Sequence, residues 1–260
     1  ARCPGWASHS ALGKADFVSL DGRVAVITGA AQGIGYAVAR RLTSEGALSA
    51  LIDVNSTGVH QAASQLTNGT AWSCDVSECT QVQRTFELIE ADVGPVDILV
   101  NNAGIWRHTP VLDSSKADWD RIYAVNVKGL LFCSQAIAPS MQARRRGKIV
   151  TIASLAGLTG SSNWGAYAAS KSAAISLTLS LADALRAHDV HVSAVCPGAV
   201  ETSLTENIRR DQPGATFDHA IPPSEVAELV CGLLSPFGQD PNGRILPMAD
   251  PSTVLGIAVT

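Results

Sequence analysis

The sequence predicts an α/β protein: a doubly wound, all-parallel sheet covered by helices on both faces, three layers in a single domain. Three observations carry this. Short apolar runs rich in β-branched residues alternate with longer stretches of helical spacing, the pattern of repeated βαβ units. The short runs are mostly apolar throughout rather than alternating polar and apolar, as strands covered on both faces must be. A glycine-rich turn joins the first apolar run to the first helical stretch, and glycine lets the backbone reverse tightly there.

Taken in order, residues 1–17 mix Gly, Ser, Pro and His without a period and lack the apolar core of a secretory signal. Residues 1–19 are expected to form a disordered or processed arm, and residues 20–260 the folded domain. The first strand is placed at 24–28 and the first helix at 34–45; a second strand at 50–53 ends on Asp53 and leads to a helix at 57–66. A strand at 70–74, a helix at 78–93 and a strand at 98–101 follow. One long helix is expected over 116–143, then a strand at 148–154 ending on Ser154, a helix at 166–187 and a strand at 190–196. The polar stretch 205–217 is too short for a linker and is expected to be a mobile surface segment, before a last helix at 224–234 and a last strand at 244–248. No repeat, low-complexity block or linker divides the chain.

The chain has 260 residues, 46% of them hydrophobic and 16% charged, with a net charge of −4. The charged fraction is below the usual ~25%, which suggests extra buried surface such as a subunit interface. Disorder is excluded by the same numbers, and a slightly acidic chain has no nucleic-acid footprint. No apolar stretch reaches the ~18 residues of a membrane helix. Six cysteines stand without Cys-x-x-Cys pairs or zinc spacing; they are read as free thiols, no metal is expected, and a cytoplasmic location follows. The basic run Arg144-Arg145-Arg146 suits a helix C-terminus, with phosphate binding as the alternative.

The glycine-rich turn reads Thr28-Gly29-Ala30-Ala31-Gln32-Gly33-Ile34-Gly35. Glycines there allow a pyrophosphate to approach the backbone at a helix N-terminus, where free N–H groups and the helix dipole stabilise it. The motif alone is weak, because such turns also serve packing; its place on the first βα unit strengthens it. Asp53 lies eighteen positions beyond Gly35, where a carboxylate accepts from adenosine ribose hydroxyls. It would repel a 2′-phosphate, and no Arg or Lys stands in the turn to offset that. NAD is therefore expected over NADP.

Tyr167 and Lys171 are four positions apart on an expected helix, hence on one face. A phenol with a pKa near 10 is a poor base at neutral pH; a neighbouring ammonium favours the phenolate. So tuned, it exchanges a proton with an alcohol or ketone while hydride moves to or from a nicotinamide. Ser154, at the carboxyl end of its expected strand, lies where ligands bind in such sheets; its plain alternative is capping the next turn.

Together these motifs resemble the short-chain dehydrogenase/reductase family. The matches are the glycine turn, Cys74-Asp75-Val76, Asn101-Asn102-Ala103-Gly104, Val125-Asn126-Val127-Lys128-Gly129, Ser154, Tyr167-Ala168-Ala169-Ser170-Lys171 and Pro197-Gly198-Ala199-Val200-Glu201-Thr202. The resemblance implies a Rossmann-type fold of seven parallel strands and a catalytic tetrad of Asn126, Ser154, Tyr167 and Lys171. Tyr167 would be the acid/base and Ser154 would position the reacting oxygen. Lys171 would lower the Tyr167 pKa and hold the nicotinamide ribose, and Asn126 would anchor a water linking Lys171 to a proton relay. Cofactor contacts would come from Gly29, Gln32, Gly33, Ile34, Gly35, Asp53, Asp75, Val76, Asn102, Ala103, Gly104, Pro197, Gly198, Val200 and Thr202. A homotetramer, or a homodimer, is implied as well. Two departures stand out: Ala249-Asp250-Pro251-Ser252 replaces an Asp-Gly-Gly ending, and the stretch between Thr202 and Pro222 is short for a lid.

By position, Ile105, Trp106, Leu155, Trp164, Ala199 and Leu204 are expected around the substrate. Their apolar character predicts a secondary alcohol or ketone with a hydrophobic or ring-shaped body, although indoles also stack on sugars, and packing is the plain alternative for each Trp. Arg107 and His108 would suit an acidic group or a solvated loop. The leading expectation is an NAD-dependent oxidoreductase. Its rivals are an NADPH-dependent 3-oxoacyl-type reductase, a polyol or sugar dehydrogenase, and a non-enzymatic NAD-sensing scaffold.

Overall fold

The computed structural model describes residues 19–211, 220–234 and 242–248. The expected N-terminal arm, apart from Ser19, and the Ala249–Ser252 departure lie outside the described residues, as does Cys3.

Seven strands form one parallel sheet in the order β3-β2-β1-β4-β5-β6-β7. They are β1 (Val24–Thr28), β2 (Leu48–Asp53), β3 (Gly69–Ser73), β4 (Val96–Asn101), β5 (Gly147–Ile152), β6 (Val190–Pro197) and β7 (Ile245–Met248). β1 and β4 are buried at every position, as continuous apolar runs require. Successive β1 side chains point to opposite faces. Ala25 and Ile27 pack with residues of α1 (Gly33–Ser44), α2 (Ser56–Ser64) and α9 (Pro223–Leu233), whereas Val24 and Val26 pack with α3 (Cys79–Asp92), α5 (Leu130–Arg144) and α7 (Gly165–Leu185). Fully burying one such Ile or Val is worth about 1.5–3 kcal/mol, so both helical layers are held by the same strand. Pro247 sits in β7, an edge strand, where a missing N–H is tolerated.

The chain winds outward from β1 to β3 and then returns to place β4 on β1's other side. This reversal opens a crevice at the carboxyl ends of β1 and β4, the usual ligand position in such sheets.

The structure corrects several expected boundaries. The long helix is broken: α4 (Lys116–Tyr123) passes through a π-helical turn, Ala124–Gly129, before α5 begins. The cause is Asn126, whose amide bonds backbone outside its own helix. β5 ends at Ile152 rather than Ser154; Ala153 and Leu155 continue to donate to β6 carbonyls, so Ser154 stands just past the strand, before the short α6 (Ala156–Thr159). Part of the polar stretch forms α8 (Ser203–Asp211), which buries Thr205 and Ile208; residues 212–219 lie outside the described ones. Among the described residues no helix is long and apolar enough to cross a membrane, no cluster suits a metal, and Cys74, Cys79, Cys133, Cys196 and Cys231 are free thiols.

Candidate active site

The crevice is a cleft of about 350 Å³ running from the glycine turn to Tyr167. At the turn, Gly29 has φ +64°, and a Cβ there would fall 2.8 Å from the Ala103 Cα. The next loop can approach only because the side chain is absent. That loop is then fastened: Thr28 Oγ1 accepts from the N–H groups of Asn102 and Ala103 at 3.1 and 3.0 Å, and Asn102 Nδ2 donates to the carbonyls of Thr28 and Gly29, both at 2.9 Å. Gly35 lies beneath this contact, so close to Gly29 O and the Asn102 amide that a Cβ would collide with both. It supports the turn and does not line the cleft.

α1 has no side-chain cap and no acidic residue in its first turn. Its leading N–H groups are thus not taken by a cap, a ready site for an anion. Asp53 ends β2 beside this turn. One of its oxygens accepts from Ala31 N at 3.1 Å and the other from Asn55 N at 2.9 Å. Each carboxylate oxygen has lone pairs left for further donors. An uncapped helix end, close-packed glycines and an oriented carboxylate in one cleft fit a dinucleotide. Asp75 and Val76 also line the cleft; the Asp75 carboxylate is held by Ser77 N and Oγ at 2.9 and 2.7 Å.

At the far end of the cleft, Tyr167 and Lys171 project from one face of α7. Tyr167 is half-buried as a residue, but its phenol is packed closely enough that desolvation pushes its pKa up, while a hydrogen bond with Ser154 pulls it down. Lys171 is buried, and desolvation lowers its pKa to about 8, offset in part by Cys196 beneath it. Its Nζ donates to Ile152 O at 2.8 Å and lies 5.8 Å from the Tyr167 ring centroid. The expected lowering of the Tyr167 pKa by Lys171 is therefore not the governing effect in this geometry: burial dominates, because the ammonium is turned to a backbone carbonyl.

Asn126 is 3% exposed. Its Oδ1 accepts from Ile105 N at 2.8 Å, and its Nδ2 donates to Ile105 O and Ser170 Oγ, both at 3.0 Å. Both amide donors are thus committed to protein, and a water anchored by the Asn126 side chain would have only the second lone pair of Oδ1 to use. Behind Lys171 lies a cavity of about 10 Å³ bordered by Asn101, Asn126 and Lys171, close to the smallest space that holds a water. Asn101 Oδ1 is buried beside it without a protein partner.

Of the residues expected from sequence, Gly29, Gln32, Gly33, Ile34, Asp53, Asp75, Val76, Asn102, Ala103, Gly104, Ser154, Tyr167, Lys171, Pro197, Gly198, Val200, Thr202 and Leu204 line the cleft. Trp106, Leu155 and Trp164 do not. The two indoles pack on each other edge to face, 6.3 Å apart at 85°, and Leu155 packs against the cluster of Ala153, Ala194 and Cys196. Arg107 is exposed and pairs with Asp118 at 3.6 Å. Sequence reasoning missed Val54, Arg121 and Val125, all of which line the cleft. Arg121 and Val125 are four positions apart, so helical spacing from Asn126 backwards was the available signal. Gln32 Nε2 also donates to Ser203 Oγ at 2.9 Å, tying the glycine turn to the start of α8.

Comparison with known proteins agrees with this layout. The family model described as short chain dehydrogenase matches residues 23–213. The 2,3-dihydro-2,3-dihydroxybenzoate dehydrogenase of Bacillus subtilis is 35% identical over 235 residues, covering 83% of this chain and 90% of that protein. The meso-2,3-butanediol dehydrogenase of Serratia marcescens is 35% identical over 237 residues, covering 88% and 93%. A 3-ketoacyl-(acyl-carrier-protein) reductase from Brucella melitensis, solved with NADH, matches with a TM-score of 0.82 at 30% identity, covering 88% of this chain and 98% of that one. The chain is an oxidoreductase of small molecules with a nicotinamide cofactor, and it belongs to the short-chain dehydrogenase family.

Proposed function

We propose that this protein is an NAD-dependent dehydrogenase interconverting a secondary alcohol and its ketone, with Tyr167 as the acid/base. The observation that carries this reading is the Tyr167 phenol, held in one cleft with Ser154 and the Lys171 ammonium, the cleft running on to the uncapped N-terminus of α1. Gly29, Gln32, Gly33, Ile34, Asp75, Val76, Asn102, Ala103, Gly104, Pro197, Gly198, Val200 and Thr202 would hold the dinucleotide, with Asp53 on the adenosine ribose hydroxyls and Lys171 on the nicotinamide ribose. Bound there, the cofactor supplies the hydride acceptor or donor.

The chain's own groups handle the proton. Ser154 Oγ orients the reacting oxygen. In reduction, Tyr167 gives its phenolic proton to the developing alkoxide, and burial keeps that proton in place beforehand. In oxidation, the phenolate takes the alcohol proton, and Ser154 favours that form. Asn126 positions the loop at Ile105, and the small cavity behind Lys171 gives a water-sized step toward bulk solvent.

Asp53 supports NAD over NADP, since among the described residues lining the cleft the cations are Arg121 and Lys171, and neither belongs to the glycine turn or the β2 end. Leu204 and Ser154 would contact substrate. A vicinal diol or polyol is the second reading for the substrate, favoured by the similarity to a butanediol dehydrogenase. Assembly as a homotetramer or homodimer is proposed from the family resemblance.

The test is absorbance at about 340 nm, where reduced nicotinamide absorbs, across secondary alcohols, diols, polyols, sugars and ketones with both cofactor pairs. Turnover with NAD(H) and little with NADP(H) is expected. Turnover with NADP(H) alone would overturn the cofactor assignment, and binding without turnover would favour a sensing role.

A further inference from the structure

Two cations line the cleft among the described residues, Lys171 and Arg121. Lys171 is turned to a carbonyl, its Nζ donating to Ile152 O at 2.8 Å. Arg121 stands exposed on α4. Among the described residues its guanidinium has no ion-pair or hydrogen-bond partner.

The acids of its own helix are held elsewhere. Asp118 Oδ1 faces Arg107 Nη1 at 3.6 Å, and its Oδ2 accepts from Ser115 Oγ at 2.6 Å. Asp120 Oδ2 pairs with Lys116 at 2.5 Å. The two carboxylates of the cleft are engaged as well, Asp53 by the N–H groups of Ala31 and Asn55, and Asp75 by Ser77. A guanidinium without a counter-ion in a concave site is free to take an anion from outside.

Position selects the anion. Arg121 and Val125 are four residues apart, and both line the cleft. Val125 packs with the layer of α3, α5 and α7, whereas Ile34, at the start of α1, packs with the layer of α1, α2 and α9. The glycine turn and Arg121 therefore belong to opposite walls of one cleft. An anion seated on the uncapped N-terminus of α1 meets N–H donors from one wall only, and the partial charge of a helix end does not cancel the charge of a pyrophosphate.

We propose that Arg121 is a cofactor-binding residue that closes on the pyrophosphate from the wall opposite the glycine turn, its guanidinium fork matching phosphate oxygens bidentately. Resting on the dinucleotide reading of the cleft, this contact adds α4 to the elements that hold the cofactor, which neither the glycine turn nor Asp53 does.

The experiment titrates the whole protein calorimetrically with NAD, ADP and adenosine at constant ionic strength, in the parent, Arg121→Gln and Arg121→Lys. In Arg121→Gln the affinity for NAD and for ADP should fall about tenfold or more, as for a lost charged hydrogen bond. Adenosine, which has no phosphate, should stay within about twofold. Arg121→Lys restores a charge without the fork and should recover part of the loss. The side chain is exposed and unpaired, so both variants should fold as the parent does. A parent that binds neither NAD nor ADP overturns the dinucleotide reading and the role of Arg121 with it. Binding of NAD and ADP by the parent, with unchanged affinity in Arg121→Gln, overturns the role of Arg121 alone. So does an equal loss for adenosine, which would place the side chain on the nucleoside.

Discussion

The Asn126 side chain clasps the backbone of Ile105 from both sides, its Oδ1 accepting from Ile105 N at 2.8 Å and its Nδ2 donating to Ile105 O at 3.0 Å. The amide joins the π-helical turn between α4 and α5 to the loop that leaves β4, and through Ser170 it also touches α7. Three segments distant in sequence thus meet on one buried side chain. π-turns of this kind recur at functional sites.

Asn126→Asp keeps the size and the acceptor but replaces a donor with a carboxylate oxygen facing Ile105 O and Ser170. Unfolding free energy should fall by about 2 kcal/mol, the cost of buried polar groups left without a partner. Urea denaturation measures this. In turnover assays kcat should fall more than KM rises, since the variant displaces the loop beside the reacting centre.

Tyr167→Phe removes the proton donor and little else. A loss of about 10²–10⁴-fold in kcat is expected, with NAD affinity by fluorescence titration close to that of the parent. In the parent, kcat/KM for alcohol oxidation should rise with pH, because burial pushes the Tyr167 pKa up and the phenolate is the active base. A flat profile, with chemistry limiting, would assign the proton to another group.

Asp53→Ala removes the carboxylate that accepts from Ala31 and Asn55 at the end of β2. NAD affinity should weaken about tenfold, as for a lost charged hydrogen bond, and discrimination against NADP should fall. The ratio of kcat/KM for the two cofactors reports both changes; an unaltered ratio would remove Asp53 from cofactor selection.

Lys171→Met should abolish most activity and yet raise the thermal midpoint at pH 7. The Lys171 pKa is about 8 in the folded protein because of burial, against ~10.4 for an unfolded lysine. The unfolded chain therefore binds the proton more tightly, and the buried ammonium destabilises the native state below pH 8. Parent stability recovers as pH rises from about 8 to about 10.4, so the gap between the two proteins should close over that window. A gap independent of pH would mean the lysine is not held with a lowered pKa. Activity and stability are opposed at this residue.

Much of the site was legible in local spacing. Tyr167 and Lys171 are one helical turn apart, Asp53 closes β2 as the apolar pattern places it, and Ser154 lies two residues past the end of β5. What escaped depended on distant partners. The π-turn was hidden because Val125 and Val127 continue the apolar pattern of α4, while its cause, the Ile105 backbone, lies twenty-one positions away. α8 reads as polar loop because its apolar contacts are few, Ile208 foremost. Trp106 and Trp164 were placed by proximity in sequence to reacting residues, but their rings find each other rather than the cleft. Arg121 enters the cleft from a helix whose orientation only the tertiary structure defines.

The fastening of Thr28 to Asn102 spans 74 positions, and it governs when the protein can become an enzyme. β1 emerges first during synthesis, yet its neighbour on the side of the cleft, β4, arrives only after two further strands and three helices have been made. Closing so long a segment carries an entropic cost that local contacts do not repay. A growing chain released before Asn102 has only half of the dinucleotide crevice and exposes the β1 edge that β4 would cover. Competence to bind the cofactor is therefore a late event of folding, and chains stalled before that point are the ones most exposed to strand-to-strand aggregation.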